Sequence, residues 1–491
     1  MSALWFAMGC RPEDPGIDSG SPGTIPVDSA TSAGTPVVTW SPLVPTVAWV
    51  DWAAPADATA VRVEFGADGA FDRATGWSTP GELPPGGLAV VGLAAGRTYT
   101  ARVAADTPAG PASSAPVTLA VPAAPPDLPV LVIDRSDAGA EVPSGYLWSA
   151  VSTSLGGDAQ TDLVVWNGAG EIVWYVRSER GHITVSPSVG QTPGTLWWDD
   201  YDMTDLERRA TLVRATLDGR SLDRVALPNG HHAALEVEPG IVAWIAHDVR
   251  PAPDGVGSVT ADRLYEAPFD DTAHPREVVN LYDALFHGAF DPPCDHTTTG
   301  IPYGSTFPVF EWSHENSLAY LADRDRYLVN LRWLDTVVAI DRSTGTIAWS
   351  LGGPYGSFTT PTGGSIYGSA DDSLLSHAHW SDAWDGGLVA FDNGTHHDPP
   401  LSSIVTLAWD EDARTVAETS RWTDPEQRFV GILGDARQLP GGDVLSSWSV
   451  LGELREVTPA GEVVWSAHTE AGGDGPAVSI GRVRWLSELV P

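Results

Sequence analysis

One stretch of the chain, Ser376–Pro400, is rich in histidine and reads SHAHWSDAWDGGLVAFDNGTHHDPP. It holds four of the 13 histidines, at positions His377, His379, His396 and His397. An imidazole can act as a nucleophile, an acid or base, or a metal ligand. His377 and His379 would face one side of a strand, which suits a metal site with His396 and His397 as further ligands. The simpler interpretation of GTHHDPP is a polar turn, and we predict no metal.

Two further histidine clusters lie upstream. NGHHAALEVEPG contains His231 and His232, and FEWSHENS contains His314 and Asn316, followed by Arg332 at the end of an apolar run. An arginine offers a fixed cation and a planar set of donors, and asparagine and histidine add further donors. The second cluster therefore has the residue types that bind an anionic group.

Composition excludes several classes of function. All 27 basic residues are arginine, so lysine Schiff-base enzymes, P-loop lysines and Ser–Lys dyads are ruled out. The formal charge of −37 argues against a nucleic-acid partner, because a phosphate polymer would be repelled.

The two cysteines have different expected roles. The opening run MSALWFAMGC resembles the end of a bacterial lipoprotein signal, with Cys10 as the lipidated residue. Cys294 is then left without a partner and is interpreted as an inert loop thiol. We expect a protein of the bacterial cell envelope, periplasmic or surface-exposed, that meets the membrane only through this anchor.

Four segments follow from composition and pattern. Residues 1–10 are the signal remnant, and 11–36 form a flexible linker of Gly, Ser, Pro and Asp. Residues 37–121 form a small β-sandwich, and 130–491 form a strand-rich domain without helical periodicity. The predicted fold class is therefore all-β.

The 37–121 segment resembles a fibronectin type III domain. The family's Leu-x-x-Gly-x-x-Tyr signature matches Leu93, Gly96 and Tyr99. The resemblance implies a buried Tyr99 whose hydroxyl bonds to nearby backbone.

A repeat runs through the larger domain. GEIVW, GTIAW and GEVVW, at Gly170–Trp174, Gly345–Trp349 and Gly461–Trp465, each follow a turn. This pattern predicts hairpins with a tryptophan at a fixed place in the second strand, as in propeller blades. Blades of roughly 60 residues would give a six-bladed β-propeller.

The three histidine clusters together resemble the PAPS-independent bacterial arylsulfotransferases. The family's central motif reads D-W-x-H-x-N-S, then a strand ending in Arg, then I-D-x-x-T-G-x-I-x-W-x-L-G-G. The residues here that match it are Trp312, His314, Asn316, Ser317, Arg332 and Ile340–Gly353. The Q-H-D-A and F-D-N-G segments match His379 and Phe391–Gly394, although HAHW departs from the Q-H-D order. The H-H-D motif falls on His231–Ala233, with Ala233 in place of Asp.

The resemblance implies ping-pong transfer of a sulfuryl group from an aryl sulfate to a phenol, without a cofactor. His379, or alternatively His377, would attack sulfur and form a sulfohistidine. His314, Asn316 and Arg332 would hold the sulfonyl oxygens, and His232 would be the acid–base partner. An imidazole of ordinary pKa, about 6.5, is mostly neutral at pH 7, and a nearby arginine lowers that pKa further.

Three alternatives stay open. Water could be the final acceptor, which would make the protein a sulfatase in effect. A lipid-anchored propeller could bind a ligand through the same residues without catalysis. AIDRSTGTIAW, Ala339–Trp349, also fits the docking repeat of quinoprotein propellers that carry PQQ, but it occurs once, and no vicinal cysteine pair accompanies it.

Overall fold

A computed structural model describes residues 34–155, 157–184, 186–204, 210–252, 257–286, 297–299, 308–366, 373–471 and 478–490. The predicted linker up to residue 33, Cys10 and Cys294 lie outside these residues. The described chain consists mainly of antiparallel strands, so the all-β prediction is confirmed. Within it, no helix has the length and apolar character needed to cross a membrane.

The N-terminal segment forms two sheets around one core. Its strands are β1 (Val37–Trp40), β2 (Ala48–Asp51), β3 (Ala60–Gly66), β4 (Arg73–Ala74), β5 (Leu88–Val90), β6 (Thr98–Asp106), β7 (Ala112–Ser113) and β8 (Val117–Ala120). One sheet has the order β1-β2-β5, and the other has the order β4-β3-β6-β7 with β8 beside β6. Alternate residues such as Val61, Val63 and Phe65 are buried in the shared core. The Tyr99 hydroxyl accepts a hydrogen bond from the Ala94 N–H at 3.0 Å, although Tyr99 is only half-buried.

This unit packs against the larger domain. Val44, Val47 and Val91 join a hydrophobic cluster formed by the next two sheets. The Trp49 Nε1–H donates to the Asp218 carbonyl at 2.8 Å, and the Ala95 N–H donates to the Ile172 carbonyl at 2.8 Å. The two units therefore share both core and backbone contacts.

Six further sheets follow in the described chain. β9 (Val130–Ser136) comes first in the chain but belongs to the sixth sheet. The first two sheets use β10 (Tyr146–Ser152), β11 (Thr161–Asn167), β12 (Ile172–Arg177), β13 (His182–Ile183), β14 (Ser188–Val189), β15 (Thr195–Asp202), β16 (Ala210–Thr216) and β17 (Leu222–Leu227). The third uses β18 (Gly230–Glu238), β19 (Ile241–Pro251), β20 (Ser258–Pro268), β21 (Arg276–Asn280), the short helix α1 (Leu281–Leu285), β22 (Thr297–Thr299) and β23 (Pro308–Glu311).

The fourth sheet uses β24 (Glu315–Leu321), β25 (Arg326–Leu331), β26 (Thr336–Asp341) and β27 (Ile347–Leu351). The fifth uses β28 (His379–Trp384), β29 (Gly387–Asp392), β30 (Ser403–Asp410) and β31 (Thr415–Thr423). The sixth uses β32 (Asp435–Gln438), β33 (Val444–Trp448), β34 (Glu453–Val457) and β35 (Val463–Glu470), and the described chain closes with β36 (Ser479–Leu486).

The first and last strands of this domain join its sixth and first sheets. β36 pairs with β10 in the first sheet, and β9 pairs with β35 in the sixth. Each sheet also shares a hydrophobic cluster with the next, and the sixth shares one with the first. A ring of sheets closed in this way fits a β-propeller.

The predicted tryptophan repeat is confirmed. Trp174, Trp349 and Trp465 lie in β12, β27 and β35, each the second strand of an antiparallel hairpin, and all three are buried. The glycine that begins the repeat at Gly345 has φ +69°, and a Cβ there would lie 1.9 Å from the Val278 carbonyl oxygen. Glycine is therefore required where this turn touches the preceding sheet.

Candidate active site

The histidines of the three clusters meet where the first strands of neighbouring sheets come together. His232 lies in β18, His379 begins β28, and His314 directly precedes β24. β18 contacts β24, β24 contacts β28, and β28 contacts β32. The closed ring of sheets therefore brings together residues that are far apart in sequence.

Three of these histidines share an unusual backbone conformation. φ is +54° at His232, +47° at His314 and +55° at His377. Positive φ is uncommon for a residue with a side chain and is concentrated at functional sites. The strained positions lie within two residues of the start of three successive first strands, which marks this end of the ring as the candidate site.

The His379 ring is hydrogen-bonded to a side chain that is itself fixed by the backbone. Its Nδ1 lies 2.7 Å from Oδ1 of Asn393, and both residues are buried. The Asn393 amide donates from Nδ2 to the carbonyls of Val430 at 2.6 Å and Leu433 at 2.9 Å. These two bonds fix the amide with its oxygen toward the ring, so Nδ1 of His379 must carry the proton.

Burial and positive charge keep this ring neutral. Burial and the charge of Arg332 hold the pKa of His379 well below its ordinary value, and Arg482 and His314 act in the same direction. A neutral ring with a proton on Nδ1 has its lone pair on Nε2. This is the protonation state that a nucleophilic histidine needs at neutral pH.

A small cavity adjoins His379. It is lined by His232, His379, Leu433, Gly434, Ser449, Gly481 and Arg482. Its volume is about 10 Å³, which is close to what one water molecule needs. The proposed acid–base histidine and nucleophile therefore face a common space beside a guanidinium.

Both the backbone and the guanidinium of Arg332 are hydrogen-bonded. Its backbone N–H donates to the His314 carbonyl at 3.2 Å, and its Nη2 donates to the Gly431 carbonyl at 2.9 Å. The guanidinium lies 3.9 Å from the centroid of the Trp333 ring. A stacked and hydrogen-bonded guanidinium is a preorganised anion site.

Sequence analysis did not find Arg482. It lies in β36, is 6% exposed, and donates from Nη2 to the Ser317 hydroxyl at 3.2 Å and to the Asn316 carbonyl. Burial lowers the pKa of its guanidinium, while Asp435 and Asp199 oppose this. No motif surrounds it in GRVRWL, and only closure of the ring brings it to the site.

Asn316 is bonded within the protein in this structure. Its Nδ2 donates to the Ala378 carbonyl at 3.0 Å, and its Oδ1 accepts from Asn330 at 2.8 Å. Ala378 directly precedes His379, so Asn316 ties β24 to the start of the strand that carries the candidate nucleophile. The substrate-binding role that the resemblance implied for Asn316 stays a prediction.

His314 is bonded to an acid. Its Nδ1 lies 3.1 Å from Oε2 of Glu311, which also accepts from Trp333 Nε1 at 3.0 Å. Burial opposes ionisation of Glu311, but His314 and Trp333 lower the pKa of its carboxyl to about 2. The ionised carboxylate therefore orients His314, whose ring centroid is 4.7 Å from that of His232.

His377 has different neighbours from His379. Its Nε2 lies 3.0 Å from Nε2 of His396, and its ring packs against Trp333 with centroids 4.8 Å apart. It is not among the residues that line the cavity beside His379. His377 and His379 thus bond to separate partners, an arrangement unlike a shared metal site.

Among the described residues, one group has metal-ligand spacing. The ligand atoms of His231, His247 and Asp262 all lie within 4.8 Å of one another. The rings of His231 and His247 are stacked, however, with centroids 3.5 Å apart and planes inclined by 7°. A metal shared by both would lie roughly 1.7 Å outside each ring plane, whereas a Zn–N bond of about 2.0 Å lies along the in-plane lone pair. This arrangement does not fit a metal.

Residues 150–476 match the family model described as Arylsulfotransferase (ASST). The chain belongs to the arylsulfotransferase family. Membership supports aryl sulfotransfer by an enzyme acting on small molecules. His232, His314, Arg332 and His379 all lie inside the matched region, and Arg482 lies just beyond it.

No curated protein matches this arylsulfotransferase-family chain. Solved structures similar to it include a Bacteroides caccae protein of unknown function, 16% identical over 70% of this chain and 99% of that one, with a TM-score of 0.37. The Myceliophteria thermophila Cps50 (Swd1) β-propeller domain is 11% identical over 72% of this chain and 92% of that one, also with a TM-score of 0.37. Likenesses this weak carry no argument about function.

Proposed function

We propose that the protein transfers a sulfuryl group from an aryl sulfate to a phenol through a sulfohistidine on His379. The transfer is ping-pong, needs no PAPS and takes place at one end of a six-bladed β-propeller. The N-terminal two-sheet unit is proposed to be a fibronectin type III-like sandwich.

The observation that carries this proposal is the bond between His379 and Asn393. It places the proton on Nδ1 and the lone pair on Nε2, while burial and Arg332 keep the ring uncharged. A neutral imidazole with one available nitrogen can bond sulfur reversibly without a cofactor.

Positive charge near His379 would stabilise the negative charge on the three sulfonyl oxygens. Arg482 lines the cavity beside His379, and the positive charges of Arg332 and Arg482 both lower the pKa of His379. We assign them, with His314, to the negative charge that builds up on the sulfuryl group during transfer. Each well-aimed donor of this kind contributes about 2–4 kcal/mol to transition-state stabilisation.

The reaction then has two balanced halves. In the first, the lone pair of His379 Nε2 forms the S–N bond, the bond between sulfur and the aryl oxygen breaks, and His232 protonates the departing phenolate. In the second, His232 takes the proton of the acceptor phenol, the phenolate oxygen attacks sulfur, and the S–N bond breaks. His379 leaves the cycle unchanged.

Steady-state kinetics of the purified chain test this function. The probe is 4-nitrophenyl sulfate without PAPS, and nitrophenolate release is followed with and without added phenol, with the phenyl sulfate product measured directly. Release that requires phenol, forms phenyl sulfate and is lost in His379→Ala supports the proposal. Release without dependence on phenol indicates hydrolysis, and no release with several donors and phenols indicates a binding protein.

We also propose that Cys10 anchors the protein in the bacterial cell envelope. The lipoprotein-like run before Cys10 and the Gly/Ser/Pro-rich linker after it support this placement. Incorporation of labelled fatty acid that is lost in Cys10→Ala tests the anchor. Labelling that persists in the variant would contradict it.

A further inference from the structure

A buried chain of hydrogen bonds runs from a carboxylate to His232. Oδ1 of Asp262 lies 2.9 Å from Nε2 of His231, and Nδ1 of His231 lies 2.8 Å from Nδ1 of His232. His232 in turn lines the cavity beside His379. The chain thus connects the candidate acid–base residue to an acid that touches neither the cavity nor any proposed substrate atom.

The acid at the far end is held ionised. Asp262 is 1% exposed, and its Oδ2 accepts from the Ser313 hydroxyl at 2.6 Å and the Glu315 N–H at 2.7 Å. Burial opposes ionisation, yet His231 and His247 hold the pKa of the Asp262 carboxyl well below its ordinary value. A buried carboxylate bonded to these donors keeps its charge.

The hydrogen-bonded series from Asp262 to His232 can carry one additional proton. His247 stacks on His231 with centroids 3.5 Å apart, and burial and His231 lower the pKa of His247 to about 3. Burial, followed by His314 and His231, holds the pKa of His232 well below its ordinary value. Of these rings, His231 is the one hydrogen-bonded both to the Asp262 carboxylate, at 2.9 Å, and to His232, at 2.8 Å, so the relay is assigned to it.

The hydrogen bonds then dictate the tautomer of His232. With His231 neutral, Nε2–H donates to Asp262, Nδ1 accepts from His232 Nδ1–H, and His232 has its lone pair on Nε2. With His231 protonated, Nδ1–H donates to His232 Nδ1, so His232 carries its proton on Nε2. Both patterns use the same two hydrogen-bonded contacts, so neither requires the heavy atoms to move.

We propose that Asp262 and His231 form a proton relay that switches His232 between its acid and base tautomers in the two halves of sulfuryl transfer. This inference rests on the proposed function and assigns Asp262 and His231 as positioning residues. In the first half, His232 Nε2–H protonates the departing phenolate while His231 passes its Nδ1 proton to His232. In the second half, His232 takes the acceptor's proton on Nε2 and returns its own Nδ1 proton to His231. One proton enters and one leaves in each cycle, and His232 stays neutral in both resting states.

Donors with different leaving groups test the relay in the full-length chain. Phenol is a weaker acid than 4-nitrophenol, so phenyl sulfate depends more on protonation of the leaving oxygen than 4-nitrophenyl sulfate does. A positioned acid contributes about 10²–10⁴-fold. For Asp262→Asn and His231→Gln we expect kcat with phenyl sulfate to fall about 100-fold, and kcat with 4-nitrophenyl sulfate to fall less than about 10-fold. KM for both donors should be little changed.

A matched control is Glu315→Gln. Glu315 is fully buried beside Asp262, neither of its carboxylate oxygens has a partner among the described residues, and burial raises the pKa of this carboxyl well above its ordinary value. Glutamine has nearly the same volume as the protonated acid that it replaces. Residue 315 is not part of the relay. We expect both donors to react as in the wild type.

Equal losses with both donors in the relay variants, or no loss, would overturn the relay. If neither relay variant folds, the solvent isotope effect of the wild type decides. It should be larger with phenyl sulfate than with 4-nitrophenyl sulfate, and equal values would refute the relay. Absence of phenol-dependent transfer in the wild type would instead refute the proposed function, so the two failures are distinguishable.

Discussion

The Oδ1 atom of Asn393 accepts the Nδ1 proton of His379 at 2.7 Å, and the Asn393 amide is itself held by two backbone carbonyls. This relationship defines which nitrogen of His379 can attack. It also ties the candidate nucleophile to the loop that runs from Val430 to Leu433, whose Gly431 carbonyl binds Arg332. Nucleophile and cation are thus positioned by the same segment.

Removal of the Asn393 amide should misorient His379. We expect Asn393→Ala to lower kcat about 10²-fold, because the ring loses the bond that selects its tautomer. The variant also removes the amide donor of the Leu433 carbonyl and one of the two donors of the Val430 carbonyl, which costs about 1–3 kcal/mol of stability.

Ser402→Ala is the control for that loss of stability. The Ser402 hydroxyl bonds to the Val430 N–H and the Asn393 carbonyl without touching His379. The Ser402→Ala variant should have a lower melting temperature, while its kcat stays within about threefold of the wild type. Equal effects of both variants on kcat would contradict a specific role for the amide.

Arg332 should set the protonation state of His379. Arg332→Met removes a positive charge that lowers the pKa of His379, so this pKa rises and the acid limb of the kcat/KM profile moves to higher pH. Arg332→Lys keeps the charge, so the limb should stay in place. Both variants should lose about 10²-fold in kcat/KM, because neither has the planar donors of arginine. The pH dependence of nitrophenolate release measures both effects.

His377 should be dispensable for the chemistry. Its Nε2 lies 3.0 Å from that of His396, and it does not line the cavity beside His379. We therefore expect His377→Ala to reduce stability but to keep kcat within about tenfold of the wild type. Abolished transfer in this variant, with the fold preserved by circular dichroism, would reverse the assignment of the two histidines.

Asp335 should make stability depend on pH. It is buried, and burial raises the pKa of its carboxyl to about 7. The folded state therefore binds more protons than the unfolded state between the ordinary pKa of about 4 and 7, and the free energy of unfolding falls as pH rises through that window.

Asp335→Asn removes the titrating carboxyl and keeps an acceptor for the His377 N–H, which donates to Asp335 Oδ1 at 2.8 Å. Above pH 7 we expect the variant to be about 2–4 kcal/mol more stable than the wild type, and about equal to it below pH 4. Denaturant unfolding across this pH range measures the difference. A wild type that gains stability relative to the variant as pH rises would refute the sign.

Local sequence patterns predicted the hairpins, the buried tryptophans and most of the candidate site residues. The Gly-x-x-x-Trp repeat predicted hairpins with buried tryptophans, because a turn followed by a strand is encoded by neighbouring residues. Short sequence motifs identified the histidine clusters around His232, His314 and His379. The ring of sheets then brings these clusters together. Asn393 lay inside the quoted FDNG segment, but its partner 14 residues away could not be inferred from spacing.

Other parts of the site depend on tertiary structure alone. Arg482 reaches the cavity because β36 returns to pair with β10, and nothing near it in sequence signals this. Asp262 comes from β20 and reaches His231 of β18 across the intervening strand β19. Nothing near His232, His314 or His377 in the sequence predicted their positive φ.

Mapping the covalent intermediate tests the central claim most directly. The full-length chain is incubated with 4-nitrophenyl sulfate in the absence of phenol, digested at neutral pH, and analysed by tandem mass spectrometry. We predict one added SO₃ group on His379, lost on addition of phenol and absent in His379→Asn. An SO₃ group on His377 or another residue, or transfer to phenol without any modified histidine, would contradict the account.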